Sequence, residues 1–387
     1  MQSTTRARPR AGIALAAVLF ALAVVSVLLT GVFWVTVQDQ RMGENARRRQ
    51  QSLGAAEVGV AEVLRMWDRS TRNSIRFYPD DSIVIGTRPT PHGTGEYSAR
   101  VFRLATDMYF VDVTGTDPLS AAGAIRGSGS RQRLGALVRT TPSATIAHRA
   151  AFTTTGAVKI RDAALIDGGD RRPDGWVDCP PPETAVAGIL TDADATVDKS
   201  ETASVLGQPA SAATLSAADT AALSATYASL ASYATIVLSA GAYTPQPAVL
   251  DGACDHAALT NWGDGLTPSA PCGRYFPIIR VSGDLHIDNG VQGQGILLVD
   301  GNLHVNGPFR FIGVVLVRGA VKFGGNAAGA PAVVGMMISR KNGSPSPGAD
   351  SLANTATVTY SRCAVESALR TSRRPSLIRS RSWAQLF

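Results

Sequence analysis

Three kinds of residue in this sequence have the type and spacing to do chemistry. Asp167, Asp170, Asp174 and Asp178 fall inside "DGGDRRPDGWVD". Carboxylates so close together could supply oxygens to Ca²⁺, which takes about six to eight of them. The order of a calcium-binding helix–loop–helix is absent, and Arg171 and Arg172 intervene. Ordinary turn carboxylates are therefore expected, with calcium as the alternative. His286, His304 and Lys322 are evenly spaced along the chain. Two imidazoles beside an ammonium make a poor metal site, so a solvated face is expected there. Cys179, Cys254, Cys272 and Cys363 are even in number, with no CxxC or zinc-type spacing. Disulfides in an extracytoplasmic domain are the reading, with buried free thiols as the alternative. Cys254 and Cys272 bracket one Gly/Pro-rich loop and are the preferred pair, although three connectivities remain open. No HExxH, P-loop, GxSxG or dinucleotide fingerprint occurs, so no enzyme is expected and the chain offers no catalytic residue.

The elements that position these residues begin with the N-terminus. From Ile13 to Val37 no residue is charged. A membrane-spanning helix needs about 20 apolar residues, whereas a secretory signal has an apolar region of only about 7–15. The segment is therefore expected to be retained as a span. Beyond it, Leu53, Ala56, Val60, Leu64 and Trp67 recur at 3, 4, 4 and 3, one face of a helix. Only Gly43, Gly54 and Gly59 interrupt, at about 1 kcal/mol each against Ala. One long helix should leave the membrane and pack its second half on a globular body. Arginines flank the span on both sides, so the positive-inside rule assigns no orientation; the secretory features of the bulk favour an N-terminus inside.

This N-terminal segment resembles that of the PilX-type minor type IV pilins. Gln40, Arg41, Met42, Asn45, Arg47, Gln50, Ala55, Ala56 and Glu57 stand at the positions of that family's signature. The K-type minor pseudopilins of type II secretion begin similarly. The resemblance covers about 50 residues and implies cleavage by a prepilin peptidase after Gly12, leaving Ile13 as the new N-terminus. Most pilins have Glu at the fifth mature position, where this sequence has Ala17. A carboxylate in a bilayer needs a partner, in these fibres a neighbouring subunit's terminal amine; Ala17 thus suits a subunit with no neighbour ahead of it. The K-type proteins use calcium, which is the resemblance's only hint for the four aspartates.

The body reads as β-rich. "SIVIG", "GEYSARVFRLA", "DMYFVDVTG" and "RQRLGALVRT" alternate apolar and polar residues and should form a small antiparallel sheet. Within residues 181–276, "SAADTAALSATYASLASYATIVLSAG" has helical spacing, with Ser216 and Asp219 as a capping box and Gly241 as a stop; a flexible linker is the alternative. After Pro277, "VSGDLHID", "VDGNLHVN" and "VRGAVKFG" recur at one fixed interval, beginning at Val281, Val299 and Val317, and Gly295 and Gly313 share that interval. A fixed period with glycine at the turns indicates stacked coils, with Leu285, Leu303 and Val321 in one interior ladder. A hairpin meander is the alternative. "GAVKIRDAALIDGG" is expected to be an earlier coil.

The expected fold is α+β. A basic leader occupies residues 1–12, a transmembrane and continuing helix 13–70, and a pilin-like sheet 71–145. A first coil at 146–180, an Ala/Ser-rich insertion with a helix and a Cys loop at 181–276, and a β-solenoid at 277–365 follow. Residues 366–387 form a basic tail. Its Arg370, Arg373, Arg374, Arg379 and Arg381, with Arg362 just before, could meet phosphate, but no aromatic interleaves before Trp383. A solvated tail without a nucleic-acid partner is expected. The function that follows is a structural subunit that initiates or caps a pilus or secretion pseudopilus and presents a tip domain. Its partners would be other pilin or pseudopilin subunits, the prepilin peptidase and the inner membrane. The rivals are a polysaccharide-acting solenoid enzyme and an anchored scaffold polymerising end to end.

Overall fold

The computed structural model describes residues 12–67, 75–91, 93, 95–117, 130–142, 146–177, 179–288, 292–324, 329–340, 348–378 and 383–386. The leader at 1–11, Asp178, Arg379 and Arg381 lie outside them. One helix, α1 (Gly12–Arg65), runs 54 residues without a break. Its second half buries Ala55, Ala56, Val60 and Val63 against an antiparallel sheet. That sheet is β1 (Ser82–Pro89), β2 (Glu96–Arg103), β3 (Met108–Thr116) and β4 (Arg131–Pro142), in that order. Alternation sends Tyr97, Ala99 and Val101 from β2 and Tyr109, Val111 and Val113 from β3 to the helix side. Trp67 closes this core edge-on against Tyr109, with ring centroids 5.1 Å apart.

The glycines of α1 divide by role. A Cβ on Gly59 would lie 2.7 Å from Val113 and 2.8 Å from Tyr97, so its bare backbone lets the helix sit close on β2 and β3. A Cβ on Gly43 or Gly54 would meet nothing within 4 Å. Only Gly59 offsets its helical cost by packing.

The larger sheet is parallel, and its register carries the sequence period. Leu285 pairs with Leu303 and Leu303 with Val321, each partner one repeat further along the chain. The long strand Gln292–Val299 pairs with Arg310–Val317 at the same offset, residue for residue. Each unit thus supplies one long and one short strand, and each strand lies beside its equivalent in the next unit. Strand Ala332–Ser339 continues the series after a longer connection, beside Arg310–Val317. Side chains facing inward form one core that includes Leu285, Leu303, Val321, Phe311 and Phe323.

The order of the stack departs from the order of the chain. Strands Val158–Ile160 and Leu165–Asp167, read as an earlier coil, lie against Asp350–Leu352 and Thr357–Tyr360, beyond the last repeat. Residues 181–250 are not only an insertion. Ala187–Thr191, Val197–Lys199, Ser204–Leu206 and Ser211–Ala212 extend the parallel sheet at that same end. The helix α2 (Ala217–Ala231) then carries the chain away, with the Ser216–Asp219 capping box formed. It stops at Ser232 rather than Gly241, and Ile236–Ala242 is the strand that covers the opposite end of the stack, beside Ile278–Ile287. The β-branched run "TIV" takes the extended form that a parallel edge rewards.

The C-terminal residues are not a solvated tail. Helix α3 (Arg362–Arg370) buries Cys363, Ala364, Val365 and Ala368. Arg373–Leu377 and Trp383–Leu386 then pair antiparallel with β4 of the first sheet. Their composition gave no strand signal; β4 supplies the ladder. The return also places the Arg374 guanidinium 4.5 Å from the centre of the Tyr233 ring.

Two disulfides link the four cysteines. Cys254–Cys272 closes a short loop, and Cys179–Cys363 joins positions far apart in the chain, with a sequence separation of 184. The long bridge sits where the early strands meet the last repeat, so it locks the stack's closure. Removing it by Cys363→Ser is expected to cost about 2–4 kcal/mol through unfolded-state entropy. Urea unfolding of the Cys363→Ser chain against the parent, both without reductant, checks this; equal midpoints would exclude it. The short loop is held from inside the stack, where the buried Gln294 amide donates to the carbonyls of Cys272, Gly273 and Tyr275 at 2.9–3.2 Å.

Candidate functional site

The first half of α1 is exposed among the described residues. Leu15, Phe20, Val27 and Phe33 are each 70% exposed or more, and Trp34 is 64% exposed. It is one helix long and apolar enough to cross a membrane. The hydroxyls within it are satisfied internally: Ser26 donates to the Leu22 carbonyl, Thr30 to Ser26 and Thr36 to Val32, each at 2.8 Å. An apolar solvent therefore meets no orphan side-chain donor from these three. Gly12 and Ile13 form the first turn of α1. Ala17 is exposed on the shaft.

The signature positions separate into two sets. Ala55 and Ala56 are fully buried against the sheet, where a larger side chain would force the helix off. Gln40, Arg41, Met42, Asn45, Arg47, Gln50 and Glu57 are exposed. This chain's own core does not require their identities, so they remain available for contacts outside it.

The four aspartates do not converge. Asp167 accepts from the Gly169 N–H at 2.8 Å and from Arg171 Nε at 3.1 Å. Asp170 accepts from the backbone N–H groups of Glu183 and Arg362, both at 2.9 Å, and Asp174 pairs with Arg310 at 2.7 Å. Each described carboxylate is thus occupied by a donor of its own chain, and a calcium ion would have to displace those bonds. Among the described residues no three His, Cys, Asp or Glu side chains are grouped to hold a metal. His286 and His304 lie with ring centroids 4.8 Å apart and planes tilted by 35°, and Lys322 follows in register. Burial, then the His286 and Lys322 charges, push the His304 imidazole below its ordinary value, which disfavours collecting further positive charge.

Two polar clusters were not apparent from the sequence. Asp350 is fully buried and accepts from the Val321 N–H (2.8 Å), Ser339 Oγ (2.9 Å) and Thr154 Oγ1 (2.6 Å), tying three levels of the stack together. Asp300 accepts from Arg280, Arg318 and the Tyr227 hydroxyl of α2. The spacing from Asp300 to Arg318, which equals the repeat period, was the available signal for the second; Asp350 lies beyond the regular repeats and had none.

No family model matches the chain, and no curated protein matches it. Among solved structures, it is similar to the competence-associated pilin ComZ from Thermus thermophilus. The identity is 14% and the TM-score 0.25, over 87% of this chain and 97% of that one.

Proposed function

We propose that this protein is a non-enzymatic minor pilin-like or pseudopilin-like subunit, inserted by α1 in the inner membrane with its body outside the cytoplasm. The observation that carries the reading is the division of α1. One continuous helix is exposed and apolar over its first half and buried against an antiparallel sheet over its second. An ordinary anchor needs no rigid continuity into the body; a subunit handed from bilayer to fibre does, because the helix must keep its relation to the head. The exposed signature residues around Arg41 and Arg47 support contacts with neighbouring subunits.

Ala17 supports a place at the start or end of the fibre. Without a carboxylate at that depth, the subunit neither carries a buried charge nor needs a neighbour's amine, which suits initiation or capping. The parallel stack, read as a β-solenoid, is the tip domain that such a subunit would present.

The test is processing. N-terminal sequencing of membrane-extracted protein is expected to find Ile13 first, from cleavage after Gly12 by a prepilin peptidase. An N-terminus at Met1, or one beyond Val37, would refute the reading, since an unprocessed or span-less chain cannot enter such a fibre.

A further inference from the structure

We propose that Arg318 and Arg340, side by side on successive levels of the parallel stack, form a binding site for a phosphate-type oxyanion. The two share one column. The Arg318 N–H donates to the Val299 carbonyl at 2.9 Å and the Arg340 N–H to that of Val317 at 2.7 Å. Asp300, Arg318 and Arg340 therefore follow one another at the ~4.8 Å strand spacing.

The charges of this column are not paired locally. Asp300 is the carboxylate for two guanidinium groups, those of Arg280 and Arg318, and both its oxygens are used. Oδ2 takes Arg280 through Nε at 3.1 Å and Nη2 at 2.9 Å. Oδ1 takes the Tyr227 hydroxyl at 2.9 Å and Arg318 Nη1 at 3.4 Å. Arg318 is thus held by one long bond, with its guanidinium 5.6 Å from the centre of the Tyr227 ring and its side chain 47% exposed.

Arg340 is only 7% exposed, and its Nε is buried without a hydrogen-bond partner among the described residues. Covering a guanidinium without an acceptor is costly, and placing it beside a second one adds repulsion. Burial, then the Arg318 charge, depress the Arg340 guanidinium from its usual value. On the far side Thr155 follows in register and Asp192 lies one level further; its Oδ1 is also buried without a hydrogen-bond partner among the described residues, and it makes no ion pair with Arg340.

Two planar forks one strand spacing apart, with unused N–H groups, match a tetrahedral anion. Its several oxygens can accept from both, where a carboxylate's two would be filled by one fork. Arg318 provides the approach from solvent and Arg340 the covered floor. Free phosphate and the phosphodiester of an anionic lipid headgroup offer the same chemistry.

The test titrates full-length protein in neutral detergent with inorganic phosphate at constant ionic strength, read by calorimetry and thermal unfolding. One site per chain is expected, with a melting temperature that rises with phosphate and not with chloride. Arg340→Met should bind at least 10-fold more weakly and, without phosphate, melt no lower than the parent. Arg340→Lys, which keeps charge but loses the fork, should also weaken binding, and Lys322→Ala on another column should not. Dihexanoyl phosphatidylglycerol distinguishes the sources: tighter competition at this site than inorganic phosphate identifies a headgroup, and weaker competition identifies free phosphate. Equal responses to chloride and phosphate, or unchanged affinity in Arg340→Met, would overturn the proposal. So would an Arg340→Met protein that melts well below the parent without phosphate, because Arg340 would then be satisfied by the protein itself.

Discussion

Leu303→Asp is expected to unfold the parallel stack. Leu303 is fully buried, with Leu285 on one side and Val321 on the other in register. The substitution loses a buried leucine, worth about 2–5 kcal/mol, and places a carboxylate between two apolar layers with no cation to meet it. A total above about 5 kcal/mol would consume from a third to the whole of a typical domain's stability of ~5–15 kcal/mol. Urea unfolding of the full chain should show the body's transition lost or shifted to very low denaturant. Asn306→Ala, at the exposed last residue of the short strand Leu303–Asn306, should stay within about 0.5 kcal/mol. Asn302 is not its equivalent, since its side chain accepts from the Ala320 N–H at 2.8 Å and donates to Asp284 at 3.2 Å. The register has its own check. Cysteines at 285 and 303, facing each other at ~4.8 Å, should join through a short thiol crosslinker; no crosslink in the folded protein would show the pairing to be otherwise.

Gly313→Ala should be nearly as damaging, for a different reason. Gly295, Gly313 and Gly335 pair with one another across three levels, with φ of +102°, +137° and +145°. An L side chain in that region costs about 1–3 kcal/mol. A Cβ on Gly313 would also stand 2.1 Å from the Gly295 carbonyl oxygen, which is fixed in the ladder and cannot move aside. Strain and overpacking together should reach about 4–6 kcal/mol. Calorimetry would show a melting temperature many degrees lower; an unchanged melting temperature would mean the column tolerates a side chain. Gly348→Ala is the control, since nothing lies within 4 Å of its Cβ.

What could be read from the sequence was whatever depends on neighbours at a fixed interval. The uncharged run at 13–37 and the 3–4 spacing after it specify a long helix with two kinds of face, because helix geometry repeats within four positions. The period of the repeat places Leu285 beside Leu303 and glycine beside glycine, because a repeated conformation brings repeated positions together. The capping box at Ser216 is equally local. Where the period lapses, such inference stops. That residues 158–167 lie beyond the last repeat, that 373–377 and 383–386 complete the first sheet, and that Cys179 meets Cys363 are long-range pairings. Each depends on which edge remains open once the rest has folded, and a strand's composition says nothing about which edge will accept it. The same limit hid the locally unpaired charge of Arg340. Arg340 stands further from Arg318 along the chain than Arg318 does from Asp300, so it falls out of step with the repeat. Only the folded chain, in which Arg310–Val317 pairs with Ala332–Ser339, brings the two residues onto adjacent levels.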